Sequence, residues 1–376
     1  MAASKPAGER IPYIDGLRAV AVLLVVAHHA MLHSPALPRP IPFLSLAHVI
    51  LEGAHGVDLF FVLSGFCLSY PVLYRVRREG TAAFDVPRYF AKRIVRIVPP
   101  YYAAIALLVL ASYGSVSAID VVKQMFFFDW RTNFLNGSFW TLCVEFRWYF
   151  LFPIALALWI RSPRVFIGAA FVSVLAYQFT RLHAPDVGTL LPFMLGIVAA
   201  DLDIRAVRLD PIVWIFAPFC VLLALVLEQT ASMPAPYGGE SSLFFVQTNA
   251  GWQLAAFLLV LAGARSRMLR VALSFKPLVA VGTASYSIYL VHEPLVSLLE
   301  AHLVLRPGAR MAAAYGAAVV TGVLFWALFE RVWTSGRIKD KALATLQPRL
   351  GAAARLLEVP TAVQFSEGRH TAPDLG

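Results

Sequence analysis

An otherwise apolar stretch of membrane length, Ile11 to Leu32, carries two ionisable residues eleven positions apart, Arg18 and His29. At about 100° per residue, eleven steps come to about 1100°, some 20° past three full turns. A helix would therefore carry both side chains on one stripe, separated by about 16 Å along its axis. An ionisable group in the hydrocarbon interior costs roughly 2.5 kcal/mol or more, which drives such groups toward a bundle interior or a wet cavity. The two residues offer complementary chemistry. A neutral imidazole can take the proton of an attacking hydroxyl, and a guanidinium can hold an anion through paired hydrogen bonds. The stretch reads as one wall of a site.

The same residue types recur in other apolar runs. Asp58 follows His55-Gly56-Val57, Glu145 lies within FWTLCVEFRWYFLFP, and VGTASYSIYLVHEPL carries His292 and Glu293 just before Pro294. Lys92, Arg93 and Arg96 open the run FAKRIVRIVPPYY, and Arg93 and Arg96, three apart, share a helical face. Each has a plainer reading. A lone intramembrane histidine can be hydrogen-bonded packing, Arg93 and Arg96 can be interface anchors, and Asp58 can stabilise a first helical turn. Arg147 can neutralise Glu145 locally, and Ser64 and Gly65 suit close helix packing. Cys67, Cys143 and Cys220 sit in apolar runs without metal-ligand spacing, so neither a disulfide framework nor a metal site is expected.

These residues need elements to position them. With 59% hydrophobic and 14% charged residues, the chain is far more apolar than soluble proteins, at about 45–50% and 25%, and reads as a polytopic membrane protein. Its net charge of +10 is dispersed among apolar spans rather than gathered on a polar domain, which argues against nucleic acid as a partner. The first run lacks a small-residue cleavage site and reads as a retained span. Further runs at about 53–74, 91–112, 138–160, 165–180, 188–203, 211–228, 250–264, 277–301 and 310–331 bring the expected total to ten. The expected organisation is an all-α bundle over 11–335, preceded by a polar arm at 1–10. It is followed at 336–376 by a tail of mixed polar, proline and apolar composition that leaves partial disorder open.

Basic residues orient such a bundle. Alternate loops and the two ends hold 24 lysines and arginines, the other loops six, which predicts both termini in the cytoplasm. Under that topology Arg18, Lys92, Arg93 and Arg96 fall in the inner layer. His29, Asp58, Glu145, His292 and Glu293 converge on the outer one.

Five segments then resemble, in order, membrane-bound acyltransferase family 3, bacterial enzymes that O-acylate envelope carbohydrates and, in some members, macrolides. DGLRAVAVLLVVAHH is similar to the first-helix motif, with Arg18 and His29 as its Arg and His, and GVDLFFVLSGF is close to that of the second helix. FAKRIVRIVPPYY supplies the Arg-x-x-Arg pair as Arg93 and Arg96, and FWTLCVEFRWYFLFP places Trp140 and Glu145. GTASYSIYLVHEPL supplies Ser285, Tyr286, Tyr289, Leu290 and His292. Phe146 and Arg147 stand where the family commonly continues with Glu or Gln. Only 45 residues follow Arg331, so the esterase-like domain of some members is not expected.

The resemblance implies an acyl-CoA donor, usually acetyl-CoA, a carbohydrate or glycosylated acceptor, and residence in the bacterial inner membrane. Its donor-binding residues would be Arg18, Arg93 and Arg96. His29 would be the general base, with Glu145 or Asp58 orienting it, and His292, Tyr286, Tyr289, Ser64 and Trp140 would bind acceptor or support the site. A covalent route through Ser64 or Cys143 has no adjacent base by spacing. A flippase for a lipid-linked sugar is the alternative class, but no second copy of the Arg-bearing segments marks a repeated half. Lys123, Phe126, Phe127, Phe128, Trp130 and Arg131 could form a sugar platform or an interfacial belt. Nothing in the sequence sets an oligomeric state.

Overall fold

The computed structural model describes residues 11–34, 45–112, 116–128, 136–179, 185–207, 242–356 and 362–366. The principal helices are α1 (Pro12–Leu32), α2 (Gly56–Glu79), α3 (Val86–Ala111), α4 (Phe139–Arg161), α5 (Pro163–Phe179) and α6 (Leu190–Ile204). After these come α7 (Ser242–Arg265), α8 (Lys276–Thr283), α9 (Ser285–His302), α10 (Pro307–Phe325) and α11 (Gly336–Leu356). Their ends follow local chemistry. Pro12 opens α1, where a missing N–H costs nothing, and Gly80 closes α2 in the left-handed conformation at φ 77°. Asp85 caps α3 by accepting the Arg88 N–H at 2.8 Å.

Among the described residues, five helical stretches are long and apolar enough to cross a membrane: Pro12–Leu32, Val49–Glu79, Val86–Ala111, Phe139–Arg161 and Pro307–Thr334. Pro163–Leu175 and Ala250–Arg265 are apolar but shorter. The expected span at 211–228 lies outside the described residues, so the described helices carry the ten-span expectation only in part. The expected ninth span, 277–301, is not one helix. It turns at Ala284 between α8 and α9, so that Ala280, Val281 and Thr283 line one cavity and Ser285 and Tyr286 another. The tenth runs from α10 into a π-helical segment, Trp326–Glu330, that carries both of its end residues to a cavity wall.

A two-stranded sheet departs from the all-α expectation, and the described part of the tail contributes a helix and one of the two strands. Residues 336–356 form α11 despite Pro348, and β2 (Ala362–Ser366) pairs antiparallel with β1 (Thr81–Asp85), from Thr81 opposite Ser366 to Asp85 opposite Ala362. Ala82 and Phe84 point inward from β1, while its other side chains are exposed. The alternation is only five residues long, too short to stand out among apolar runs.

The core is filled by large side chains with no solvent contact, among them Leu17, Phe66, Phe139, Phe152 and Phe193. In lipid no hydrophobic force drives helices together, and small residues that let backbones approach take its place. Gly65 of α2 and Gly196 of α6 face each other, and a Cβ on either would strike the opposing helix's backbone, at Phe193 and Val62 respectively. Gly196→Ala should therefore cost about 1–3 kcal/mol of stability through overpacking, seen as an earlier thermal transition in detergent. Gly168→Ala, where a Cβ meets open space within a helix, should not lower the transition.

Candidate active site

α1 and α9 bring two imidazoles together. His29 Nδ1 lies 2.9 Å from the Val25 carbonyl and 3.2 Å from Nε2 of His292, while His292 Nδ1 lies 2.8 Å from the Tyr289 carbonyl. A carbonyl only accepts, so the proton of each neutral ring is assigned to Nδ1, leaving a lone pair on each Nε2. His292 is fully buried, whereas the His29 side chain is 16% exposed, so only the second can meet an acceptor from outside. The carboxylate beside it is Glu293, with Oε2 3.8 Å from His29 Nε2.

Pro294 builds this corner. Having no N–H, it leaves the Leu290 carbonyl without its helical partner, and Asn136 Nδ2 donates to that carbonyl at 2.9 Å. Asn136 Oδ1 in turn accepts the Ser138 N–H at 2.9 Å, and Ser138 Oγ donates to Glu293 Oε2 at 2.5 Å. Gly137 sits so close to the Glu293 carboxylate that any Cβ would collide with it. The loop entering α4 thus grips the turn carrying His292 and Glu293.

Toward the other end lies a cavity of about 100 Å³, lined by Arg18, Ser64, Arg93, Arg96, Glu145 and Tyr149 and ending at Thr141 and Tyr289. Glu145 Oε1 accepts from Tyr149 at 2.7 Å and from Ser64. Ser64 therefore has an adjacent carboxylate, 81 positions away in sequence, that spacing could not reveal. Tyr286 donates to the Ile97 carbonyl at 3.0 Å. The Tyr289 hydroxyl lies 2.7 Å from Thr141 Oγ1 and donates to the Ser138 carbonyl at 3.0 Å. Its ring centroid is 5.3 Å from that of His292, so Tyr289 stands between the cavity and the imidazole pair.

A second cavity, of about 1,220 Å³, shares Arg18, Cys67, Arg93 and Arg96 with the first. It extends past Ile11, Lys92, Trp326, Glu330 and Arg331 to Lys339 and Leu343 of α11. The start of α1 and the tail helix thus meet at one face. Arg18 pairs with Asp15 at 3.4 Å and contacts Cys67 Sγ at 3.6 Å. Arg93 lies over the Tyr149 ring at 5.9 Å, and its buried Nε has no hydrogen-bond partner among the described residues. Glu330, which the sequence left without a role, accepts from Ser287 at 2.7 Å. A volume above the usual 300–1,000 Å³ of ligand sites, with guanidinium groups at its junction, fits a long polyanion.

The structure departs from the expected layers at Glu145, which lines the arginine cavity rather than joining the histidines. Asp58 pairs with His55 at 2.8 Å, and neither Asp58 nor Glu145 contacts His29 among the described residues; Glu293 takes that position. Arg147 reaches the Phe127 carbonyl at 3.2 Å. Trp140 is half-buried in packing and lines neither cavity. Phe127 is buried between Tyr101 and Phe146, so it is core rather than platform, while Phe126 and Phe128 are exposed. Trp130 and Arg131 lie outside the described residues. Asn136 and Ser138 were missed, although Pro294 announces an unpartnered carbonyl that something must satisfy.

The membrane-length helices and the cation-lined interior define a multi-pass membrane protein built around an internal site. The family model described as "Acyltransferase domain" (Acyl_transf_3) matches residues 11–331, and the chain belongs to that family. It is 27% identical over 331 residues to peptidoglycan O-acetyltransferase OatA of Listeria monocytogenes, covering 77% of this chain and 50% of that protein. It is 25% identical over 339 residues to O-acetyltransferase OatA of Staphylococcus aureus, covering 78% and 52%. The chain spans about half the length of these relatives. No solved structure matches it. If Glu293 is the carboxylate that supports His29, Glu293→Gln should lower any acyl transfer by this domain in membranes about 100-fold. Asp58→Asn should change it little, and the reverse order would reject the pairing.

Proposed function

We propose that this chain is an O-acetyltransferase of the bacterial inner membrane, moving an acetyl group from acetyl-CoA to a hydroxyl of an envelope carbohydrate. The observation that carries this reading is the order of groups along one interior path. Arg93 and Arg96, which have no carboxylate partner among the described residues, stand where two cavities join, and a partly exposed imidazole, His29, lies near Tyr289 at the far wall of the smaller one. The names of the relatives support the acetyl group and a peptidoglycan-like acceptor. The excess of basic residues at the face of the larger cavity supports donor entry from the cytoplasm.

In this account Arg93 and Arg96 hold the diphosphate of the donor, and its pantetheine arm runs through the smaller cavity toward Tyr289. Tyr289 lines the smaller cavity and packs against His292, so in this reading its hydroxyl parts from Thr141 and Ser138 as the thioester meets the acceptor. His29 Nε2 takes the acceptor hydroxyl proton as the oxygen attacks the thioester carbonyl. The tetrahedral adduct collapses, the carbon–sulfur bond breaks, and coenzyme A leaves as the thiolate. Glu293 faces the imidazolium formed, and its charge stabilises that state. His292 is a positioning residue, fixing the His29 ring edge from a fully buried site.

Transfer of labelled acetyl from acetyl-CoA to a carbohydrate fraction tests the proposal in membranes. His29→Ala should reduce label transfer at least about 100-fold while the protein stays inserted and abundant. Undiminished turnover would remove His29 from the mechanism. Arg93→Ala should raise KM for acetyl-CoA about tenfold with little change in acceptor KM; equal effects on both would reject the donor assignment.

A further inference from the structure

The tail helix and its strand lie beyond residue 331, where the family match ends, yet the helix lines the larger cavity and the strand pairs with β1. α11 packs along α3, the helix that carries Lys92, Arg93 and Arg96. Its Gln347 donates to Asp85 Oδ2 at 3.1 Å, and Asp85 is the cap of α3. β2 continues the attachment. Phe365 is 1% exposed and lies against Phe84, with ring centroids 6.0 Å apart. A strand ladder, a buried aromatic and a hydrogen bond to a helix cap fix α11 in place, so Lys339 and Leu343 are held at the cavity wall rather than passing by it.

The charge of that wall is one-sided. Arg18, Lys92, Arg93, Arg96, Arg331 and Lys339 line the cavity, against Asp15 and Glu330. Asp15 is already paired with Arg18, which among the described residues leaves Glu330 as the one acidic side chain facing the remaining cations of that wall. Among the described residues, Lys92 and Lys339 have no carboxylate within ion-pair distance, and Arg331 rests over the Trp326 ring at 5.6 Å. Like charges gathered on one surface repel, and that cost is recovered when an anion sits among them. A nucleotide thioester that enters acyl end first and leaves its diphosphate on Arg93 and Arg96 has one charged group still to place. This is the phosphate on its ribose, and it remains at the mouth, where Lys339, Lys92 and Arg331 stand.

We propose that the tail helix forms part of the donor site and that Lys339, with Lys92 and Arg331, binds the ribose 3′-phosphate of coenzyme A. The tail would then select phosphorylated over dephosphorylated donors. This rests on the acyl-CoA reading above, and the test separates the two. Equilibrium binding of coenzyme A and of 3′-dephospho-coenzyme A is measured on the full chain in nanodiscs. The unaltered protein should bind coenzyme A about tenfold more tightly than the dephospho form. Lys339→Ala should weaken coenzyme A to near the dephospho value and leave dephospho-coenzyme A unchanged. Lys341→Ala, exposed on the same helix and absent from the cavity wall, should keep the full preference. Equal binding of the two ligands by the unaltered protein, or a preference that survives Lys339→Ala, would overturn the tail's role while the donor reading stands. Binding of neither ligand would overturn both.

Discussion

Cations inside an apolar bundle must be satisfied by something, and here only some are satisfied by protein. Arg18 has Asp15, and Arg77 and Arg205 share Asp201 at 2.8 and 3.0 Å. Arg93, by contrast, has an aromatic ring and an unpartnered buried Nε. The difference separates structural charge from waiting charge. Leaving such a donor unmade costs about 1–3 kcal/mol, which an anion bound at the cavity junction would relieve. Both cavities include Arg93 in their walls.

The second constraint is the broken backbone. Pro153 within α4 leaves the Tyr149 carbonyl without a helical donor, and Tyr89 supplies one at 3.1 Å, as Asn136 does for Leu290. Both repairs lie beside the proposed chemistry. Tyr149 hydrogen-bonds Glu145 and underlies Arg93, while Leu290 precedes His292 by two positions. Prolines that would weaken an isolated helix thus hold neighbouring elements in register. The same residues keep the bundle satisfied and aim the polar groups within it.

Much of this was legible in the sequence, because intramembrane charge is too costly to be scattered at random. Arg18, Arg93 and Arg96 do line one interior surface, and His29 and His292 do meet, since helical periodicity fixes which side chains share a face. The pairing of carboxylates was not legible. Asp58, Glu145 and Glu293 all fell in the same predicted layer, and depth along a helix says nothing of azimuth. Which of them faces His29 is decided by the crossing of α1 with α9 and by the 136–138 loop. The tail escaped notice for another reason: α11 is polar enough to pass for a solvated segment, and its partner strand lies about 280 positions away.

In the proposed mechanism the donor arm runs from the arginine cluster past Tyr289 to reach an acceptor at His29. A cryo-electron-microscopy structure of the full chain in nanodiscs with a non-hydrolysable acetyl-CoA analogue tests it most directly. The account predicts the diphosphate on Arg93 and Arg96, the acyl carbon at the level of Tyr289, and the Tyr289 hydroxyl parted from Thr141. An analogue whose acyl end points out of the larger cavity, with Tyr289 still bonded to Thr141 and Ser138, would contradict it.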